Sequence, residues 1–251
     1  MTRNNNLDKS WLLGNFGNRL FYYENIDSTM TEAKRILRKD QLSEGTILLS
    51  KKQTGGKGRR GREWVSEKGG IWVSYITVPN ITRDAYPLYS LMSAVCINKC
   101  LKEFSVMSDI KWPNDIFYKN KKMAGIAIDL ITLKKDYLII GIGLNVYNET
   151  IDIATSVSQQ NSEVDINKLF EKLIYYIDEY KNILHQDRNK ILDLWRQNNN
   201  ILGKEVKVIP ASGEKPYYAK ALDINPLGAL IIKKDKEVKE VVAADVSLRL
   251  V

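Results

Sequence analysis

Two strand-length runs, Met123 to Leu133 and Tyr137 to Val146, are separated only by Lys134, Lys135 and Asp136. A polar turn this short joins long neighbours as an antiparallel hairpin, because a parallel crossover needs a dozen residues or more. The chain is therefore expected to build an antiparallel or mixed sheet around that hairpin. Further strands are expected at Leu20–Ile26, Gly45–Lys51 and Ile71–Val78, where β-branched and aliphatic residues concentrate. Ile110 to Tyr118 also reads as strand, but Pro113 cannot donate to a ladder, so two short strands should meet at a bend over Trp112-Pro113-Asn114-Asp115.

Helical periodicity marks Pro87–Phe104, a segment starting at Asp165 with Leu169, Phe170, Leu173, Ile174 and Ile177, and a third segment over Ile191–Trp195. A shorter helix is expected over Ser28–Arg38, with Thr29 and Glu32 spaced as a capping box. After Asn198-Asn199-Asn200 the pattern changes to short strands near Val206–Ile209, Tyr217–Ile224, Ala229–Ile232 and Val238–Val242. About fifty residues of this kind predict a small barrel, and hence domains at 1–200 and 201–251.

The 251 residues are 44% hydrophobic and 27% charged, an ordinary globular composition that can bury a core without disulfide or metal staples. No apolar run reaches membrane-spanning length, and the start of the chain lacks the continuous apolar core of a secretory signal, so a cytoplasmic location is expected. Cys96 and Cys100 lie four apart on one helical face and should be buried, reduced thiols. With His185 as the sole histidine, a clustered His/Cys metal site is not expected. The net charge of +8 favours an anionic partner without choosing one.

The chemistry-bearing residues concentrate in three segments. Lys51 to Arg62 interleaves Lys51, Lys52, Lys57, Arg59, Arg60 and Arg62 with Gly55, Gly56, Gly58 and Gly61. Glycines admit close backbone approach to an anion and guanidinium groups bind phosphate or carboxylate in two places at once, so this is a nucleotide clamp, a solvated basic loop or a basic nucleic-acid patch. It is not a Walker A loop. Lys111-Trp-Pro-Asn-Asp115 followed by Lys122-Met-Ala-Gly125 brings two cations and two hydrogen-bonding side chains towards a common cleft. Gly141-Ile-Gly-Leu-Asn145 ends a strand where two glycines leave room for a neighbour.

Together with Asp27-Ser28-Thr29 and Val246-Ser-Leu-Arg249, these segments resemble the biotin protein ligase family in its short form, from about Ile26 to the carboxyl end. The resemblance implies an α+β fold: a class-II-synthetase-like mixed or antiparallel sheet with helices on one face, followed by an SH3-like barrel. It further implies ATP-dependent formation of biotinyl-5′-AMP and transfer of biotin to a lysine of a biotin carboxyl carrier protein. Magnesium would accompany ATP, with no metal site of the protein's own. The missing amino-terminal DNA-binding domain of bifunctional members implies no DNA binding, and side-by-side sheet dimers in the family make a homodimer an expectation.

Carried over by position, the catalytic groups are Lys111, Arg59, Lys122 and Asp115. The biotin site comprises Ser28, Thr29, Met30, Gln53, Gly56, Lys57, Gly58, Arg59, Lys122 and Gly125. The adenylate site comprises Arg59, Arg62, Trp64, Lys111, Asn114 and Asn145. Met30 stands where asparagine is usual and Lys57 where arginine is more frequent. A carboxylate attacking a polyphosphate must overcome anion–anion repulsion, so such a site needs fixed cations more than a histidine base. Two other readings use the same residues: lipoate or octanoate transfer, which calls for a longer apolar pocket, and a nucleic-acid module, which the lack of aromatics within Lys51–Arg62 disfavours.

Overall fold

The computed structural model describes residues 5–39, 42–58, 61–243 and 246–250. Helix α1 (Lys9–Phe16) is followed by strand β1 (Leu20–Tyr23), helix α2 (Thr29–Lys39), and strands β2 (Ile47–Ser50) and β3 (Ile71–Thr77). Then come helix α3 (Leu88–Glu103), strands β4 (Asp109–Lys111), β5 (Asp115–Tyr118), β6 (Lys121–Thr132) and β7 (Asp136–Leu144), and helices α4 (Ile166–Gln186) and α5 (Arg188–Asn198). Strands β8 (Glu205–Pro210), β9 (Tyr217–Ile224), β10 (Leu230–Lys234), β11 (Glu237–Val241) and β12 (Val246–Leu250) complete the chain.

The predicted hairpin is the centre of a seven-stranded sheet ordered β1-β2-β3-β7-β6-β5-β4. β6 and β7 pair from Ala124↔Leu144 to Thr132↔Asp136, leaving a three-residue turn over Leu133, Lys134 and Lys135, one residue earlier than the Lys134–Asp136 turn read from the sequence, because Asp136 pairs within the ladder. Only β1 and β2 run parallel, joined by the crossover through α2, so the sheet is mixed. The bend at Pro113 separates β4 from β5 as expected, and the Trp112–Pro113 bond is cis.

Alternation along the central strands divides the core in two. Ile47 and Leu49, Val73 and Tyr75, and Leu138, Ile140 and Ile142 face the layer of α3, α4 and α5, whereas Leu48, Ile76, Tyr137 and Ile139 face α2 with Ala33 and Leu37. The three long helices thus cover one face, and the short α2 lies over part of the other. Beyond α2 that second face is nearly bare, because its next positions are Gly141 and Gly143 on β7 and their partners Ala127 and Gly125 on β6.

Helix α1 has no apolar periodicity, which is why sequence patterning did not reveal it; it is set by an Asp8 cap on Trp11 N at 3.1 Å and by burial of Leu12. The carboxyl-terminal strands form an antiparallel sheet ordered β11-β10-β9-β8-β12, one strand more than the four read from the pattern. Their apolar side, including Val206, Ala221 and Ile232, merges with the core beneath α3. The Trp112 indole N–H donates to Gly228 O at 3.0 Å, and Arg196 binds Asp223 and Ile224 O, fastening this sheet to the larger one. Cys96 and Cys100 are buried free thiols. Among the described residues no helix is long and apolar enough to cross a membrane.

Candidate active site

The bare stretch of sheet is the floor of a narrow slot. A methyl group on Gly143 would collide with the Trp64 indole, and one on Gly141 with the Met30 thioether, so both side chains lie directly on backbone. Gly125 similarly receives the edge of Trp64 and the Lys122 ammonium. Ser28, Thr29, Gln53, Lys57, Gly58 and Asn114 complete the walls with Val73 and Ile126.

The start of α2 supplies the polar end. Ser28, not Thr29, holds the cap position: its Oγ accepts from Thr31 N at 3.4 Å, while Glu32 pairs with Arg35 at 3.0 Å. Asp27 accepts from Ser28 N at 2.7 Å and from Arg35 at 2.6 Å. Burial raises the Asp27 pKa, but these two donors outweigh it and hold the carboxyl below its ordinary range. Thr29 and Gln53 are tied together: Gln53 Oε1 accepts from Thr29 N at 2.8 Å and from Thr29 Oγ1 at 3.1 Å. Ser74 Oγ donates to Thr29 Oγ1 at 2.8 Å, and Gln53 Nε2 donates to Ser66 Oγ at 2.9 Å. These residues are preset before any ligand arrives.

The glycine- and arginine-rich segment is a twisted ribbon pinned at its base. Gln53 N donates to Ser66 O, Trp64 N to Gly56 O and Gly58 N to Arg62 O, at 3.0, 2.9 and 2.7 Å. Gly56 is needed at this crossing because a Cβ there would meet Trp64 O and Ser66 Oγ, so it packs against the ribbon and not against the slot. Arg59 and Arg60 lie outside the described residues, and with them the expected role of Arg59.

Past Trp64 the slot opens into a wider hollow lined by Arg62, Lys111, Asn114, Asp115, Lys122 and Asn145. Lys122 Nζ stands 2.6 Å from Asp115 Oδ1 and 4.8 Å above the Trp64 ring, so this one cation borders both spaces. Lys111 Nζ lies 4.5 Å over Phe117. Asn114 donates to Ile126 O at 2.6 Å, and Asn145 to Thr155 O at 3.1 Å, each bracing backbone at the rim. Sequence reading did not single out Asn148, whose side chain donates to Asn145 Oδ1 at 3.1 Å, nor the apolar rim residues Ile151 and Ile153. It also missed Ser66 and Ser74, which bear on the slot only through the side chains they hold.

The hollow is not uniformly basic: Glu63, Asp115 and Glu149 line it beside Arg62, Lys111 and Lys122. Among the described residues no three His, Cys, Asp or Glu side chains converge to hold a metal ion. A narrow, polar-ended slot that meets a larger hollow at a lysine and a tryptophan can align a small carboxylate with a phosphate ester.

Comparison with known proteins decides the kinship. Residues 22–145 match the Biotin/lipoate A/B protein ligase family, and residues 201–249 match the Biotin protein ligase C terminal domain. The chain is 32% identical to the bifunctional ligase/repressor BirA of Bacillus subtilis, over 92% of this chain and 74% of that protein. The chain belongs to the biotin protein ligase family. Within this family it is also similar to the biotin–[acetyl-CoA-carboxylase] ligase of Mycobacterium tuberculosis, at 26% identity over 81% of this chain and 79% of that one. The fold superposes on the Aquifex aeolicus biotin protein ligase in complex with biotin and ATP, with a TM-score of 0.80 and 27% identity, covering 93% of this chain and all of that one.

Proposed function

We propose that this protein is an ATP-dependent biotin–protein ligase that makes biotinyl-5′-AMP and passes biotin to a lysine of a biotin carboxyl carrier domain. The observation that carries this reading is the junction of slot and hollow at Trp64 and Lys122. A biotin whose ureido ring faces Ser28, Thr29 and Gln53 directs its carboxylate towards Lys122, while the nucleotide occupies the hollow. Ser28 Oγ accepts from Thr31, leaving its hydrogen to donate to the ureido oxygen.

In the first step a biotin carboxylate oxygen attacks the α-phosphorus of ATP, and the α-phosphorus–oxygen bond to the β-phosphate breaks as pyrophosphate departs with the electron pair. Lys122 and Lys111 offset the repulsion between carboxylate and phosphate, and Trp64 fixes the nucleotide at the junction. In the second step the carrier's lysine amine attacks the acyl carbon and AMP leaves. Asp115, held against Lys122, is placed to accept a hydrogen bond from that amine as the mixed anhydride opens.

Magnesium fits as a companion of the triphosphate, since it favours phosphate oxygens with one or two carboxylates, and Glu63 and Glu149 offer these at the rim of the hollow. We assign residues 1–200 to the catalytic unit and 201–251 to a carboxyl-terminal unit that completes the cleft. The same reading places the protein in the cytoplasm, where buried thiols stay reduced. It also pairs two copies edge to edge: β5 reaches only Gly125 on β6, so β6 runs on past its partner, and sedimentation of the ligand-bound protein would report the dimer.

The deciding experiment is mass spectrometry of a carrier domain incubated with the protein, biotin and Mg-ATP. Addition of one biotinyl group to a single lysine is expected. Modification by lipoate or octanoate in its place, or no modification, would overturn the reading.

A further inference from the structure

Ser66 is 2% exposed and lines neither the slot nor the hollow, yet its hydroxyl stands between them. It accepts from Gln53 Nε2 at 2.9 Å and donates to Trp64 O at 3.0 Å. On the slot side the same chain continues through Gln53 Oε1 and Thr29 Oγ1 to Ser74 Oγ, which is fully buried. Every hydroxyl in this series uses its single hydrogen in one direction, from Ser74 to Thr29 to Gln53 and from Gln53 to Ser66 to the carbonyl of Trp64, so the bonds polarise one another. The Ser66 main chain reinforces it by accepting from Gln53 N at 3.0 Å. Gly56 lies so close against Ser66 Oγ and Trp64 O that the strand carrying Trp64 cannot shift without disturbing the serine.

Gln53 and Thr29 touch only the slot, whereas Trp64 touches both spaces. We propose that Ser66 is a positioning residue that transmits occupancy of the vitamin slot to the Trp64 wall of the nucleotide hollow, so that biotin and ATP bind cooperatively through this hydroxyl. A ligand accepting the remaining Nε2 hydrogen of Gln53 holds the amide in this orientation, and so keeps Ser66 Oγ on Trp64 O and the indole at the wall of the hollow. Because the nucleotide needs the same arrangement, each ligand favours the state that the other binds. The coupling is reciprocal, so the nucleotide must raise biotin affinity by the same factor.

This inference rests on the biotin and ATP reading above, and one set of titrations separates the two. Calorimetry on the full chain measures biotin affinity with and without α,β-methylene-ATP, whose carbon bridge blocks loss of pyrophosphate. The parent protein is expected to show a coupling factor of about 5- to 150-fold. Ser66→Ala is expected to bring that factor to within twofold of unity, and a uniform loss of affinity cancels from the ratio. Gln53→Met, which breaks the same chain one link earlier, is expected to do likewise, and adding Ser66→Ala to it should change the factor no further. It also serves as the test if Ser66→Ala does not fold. A parent coupling factor near one, or a parental factor retained in the variants, overturns the role of Ser66. A parent that binds no biotin overturns the underlying reading instead.

Discussion

At the scale of single residues, the cleft depends on what two glycines lack and what two lysines supply. Gly143→Ala would push against the rigid indole of Trp64, while Gly141→Ala meets only the flexible end of Met30. Gly143→Ala is therefore expected to raise the KM for ATP about tenfold or more, and Gly141→Ala to act chiefly on the KM for biotin, as steady-state pyrophosphate release would report; equal effects on both substrates would contradict this. In the proposed reaction, removing Lys122 or Lys111 deletes a charge beside the reacting anions. At about 4 Å and an effective dielectric of 20 such a charge contributes roughly 4 kcal/mol, so either alanine variant should slow adenylate formation by about a thousandfold while the protein still folds. Pyrophosphate release at the parental rate in both would refute that. That both lysines line the hollow was legible because a cation on either side of a proline-broken strand pair has few structural purposes. Ser66 was not, since its partners Gln53 and Trp64 become neighbours only when the ribbon closes.

At the scale of elements, the sequence identified the hairpin, the Pro113 bend and the long helices because each rests on local pattern and turn chemistry. It misplaced the cap of α2 by one residue, since Ser28 and Thr29 both suit the position and the choice lies with Gln53, which claims Thr29 for itself. Glycines and like charges favour mobility of Gln53–Glu63 in the empty protein, whereas hydrogen bonds link the arms of the ribbon at Gln53, Gly58 and Trp64. Hydrogen exchange on the ligand-free protein should therefore find the amides of Gln53, Gly58 and Trp64 protected, and exchange at unprotected rates would count against a preformed ribbon. On α4, burial and then the charge of Lys181 lower the pKa of His185, against a smaller opposite pull from Glu44. Tyr89 Oη lies 2.7 Å from its Nε2. The unfolded chain thus takes up the proton first, and stability should fall as pH drops below about 6.5, down to the folded-state value. His185→Gln should flatten the melting temperature between pH 7.5 and 5.5; an unaltered slope would dismiss the histidine as its cause. Glu44 belongs to a lower range. Burial raises its pKa, but the hydrogen bond and charge of Lys181, with a hydrogen bond from Thr77, together outweigh this and hold it below the ordinary value, so its contribution disappears only under more acidic conditions.

At the scale of the whole molecule, the carboxyl-terminal sheet supports the cleft as well as standing beside it. Gly228 has φ of +83°, accepts from Trp112, and leaves 3.1–3.2 Å between a would-be Cβ and the side chains of Leu91 and Leu88. Gly228→Ala should therefore cost about 2 kcal/mol, seen as roughly 5 °C in the melting temperature, and should also raise the KM for ATP through the displaced Trp112 turn. A stability loss with unchanged ATP kinetics would limit the sheet to a supporting role. The sequence separated the two units by composition but did not reveal this bond, since a tryptophan looks the same whether its N–H ends in water or on a carbonyl far along the chain. The walls of the cleft run from Ser28 to Leu248. The chamber therefore gains this last part of its wall only once Leu248 has left the ribosome's exit tunnel, and a nascent chain stalled short of it lacks that side.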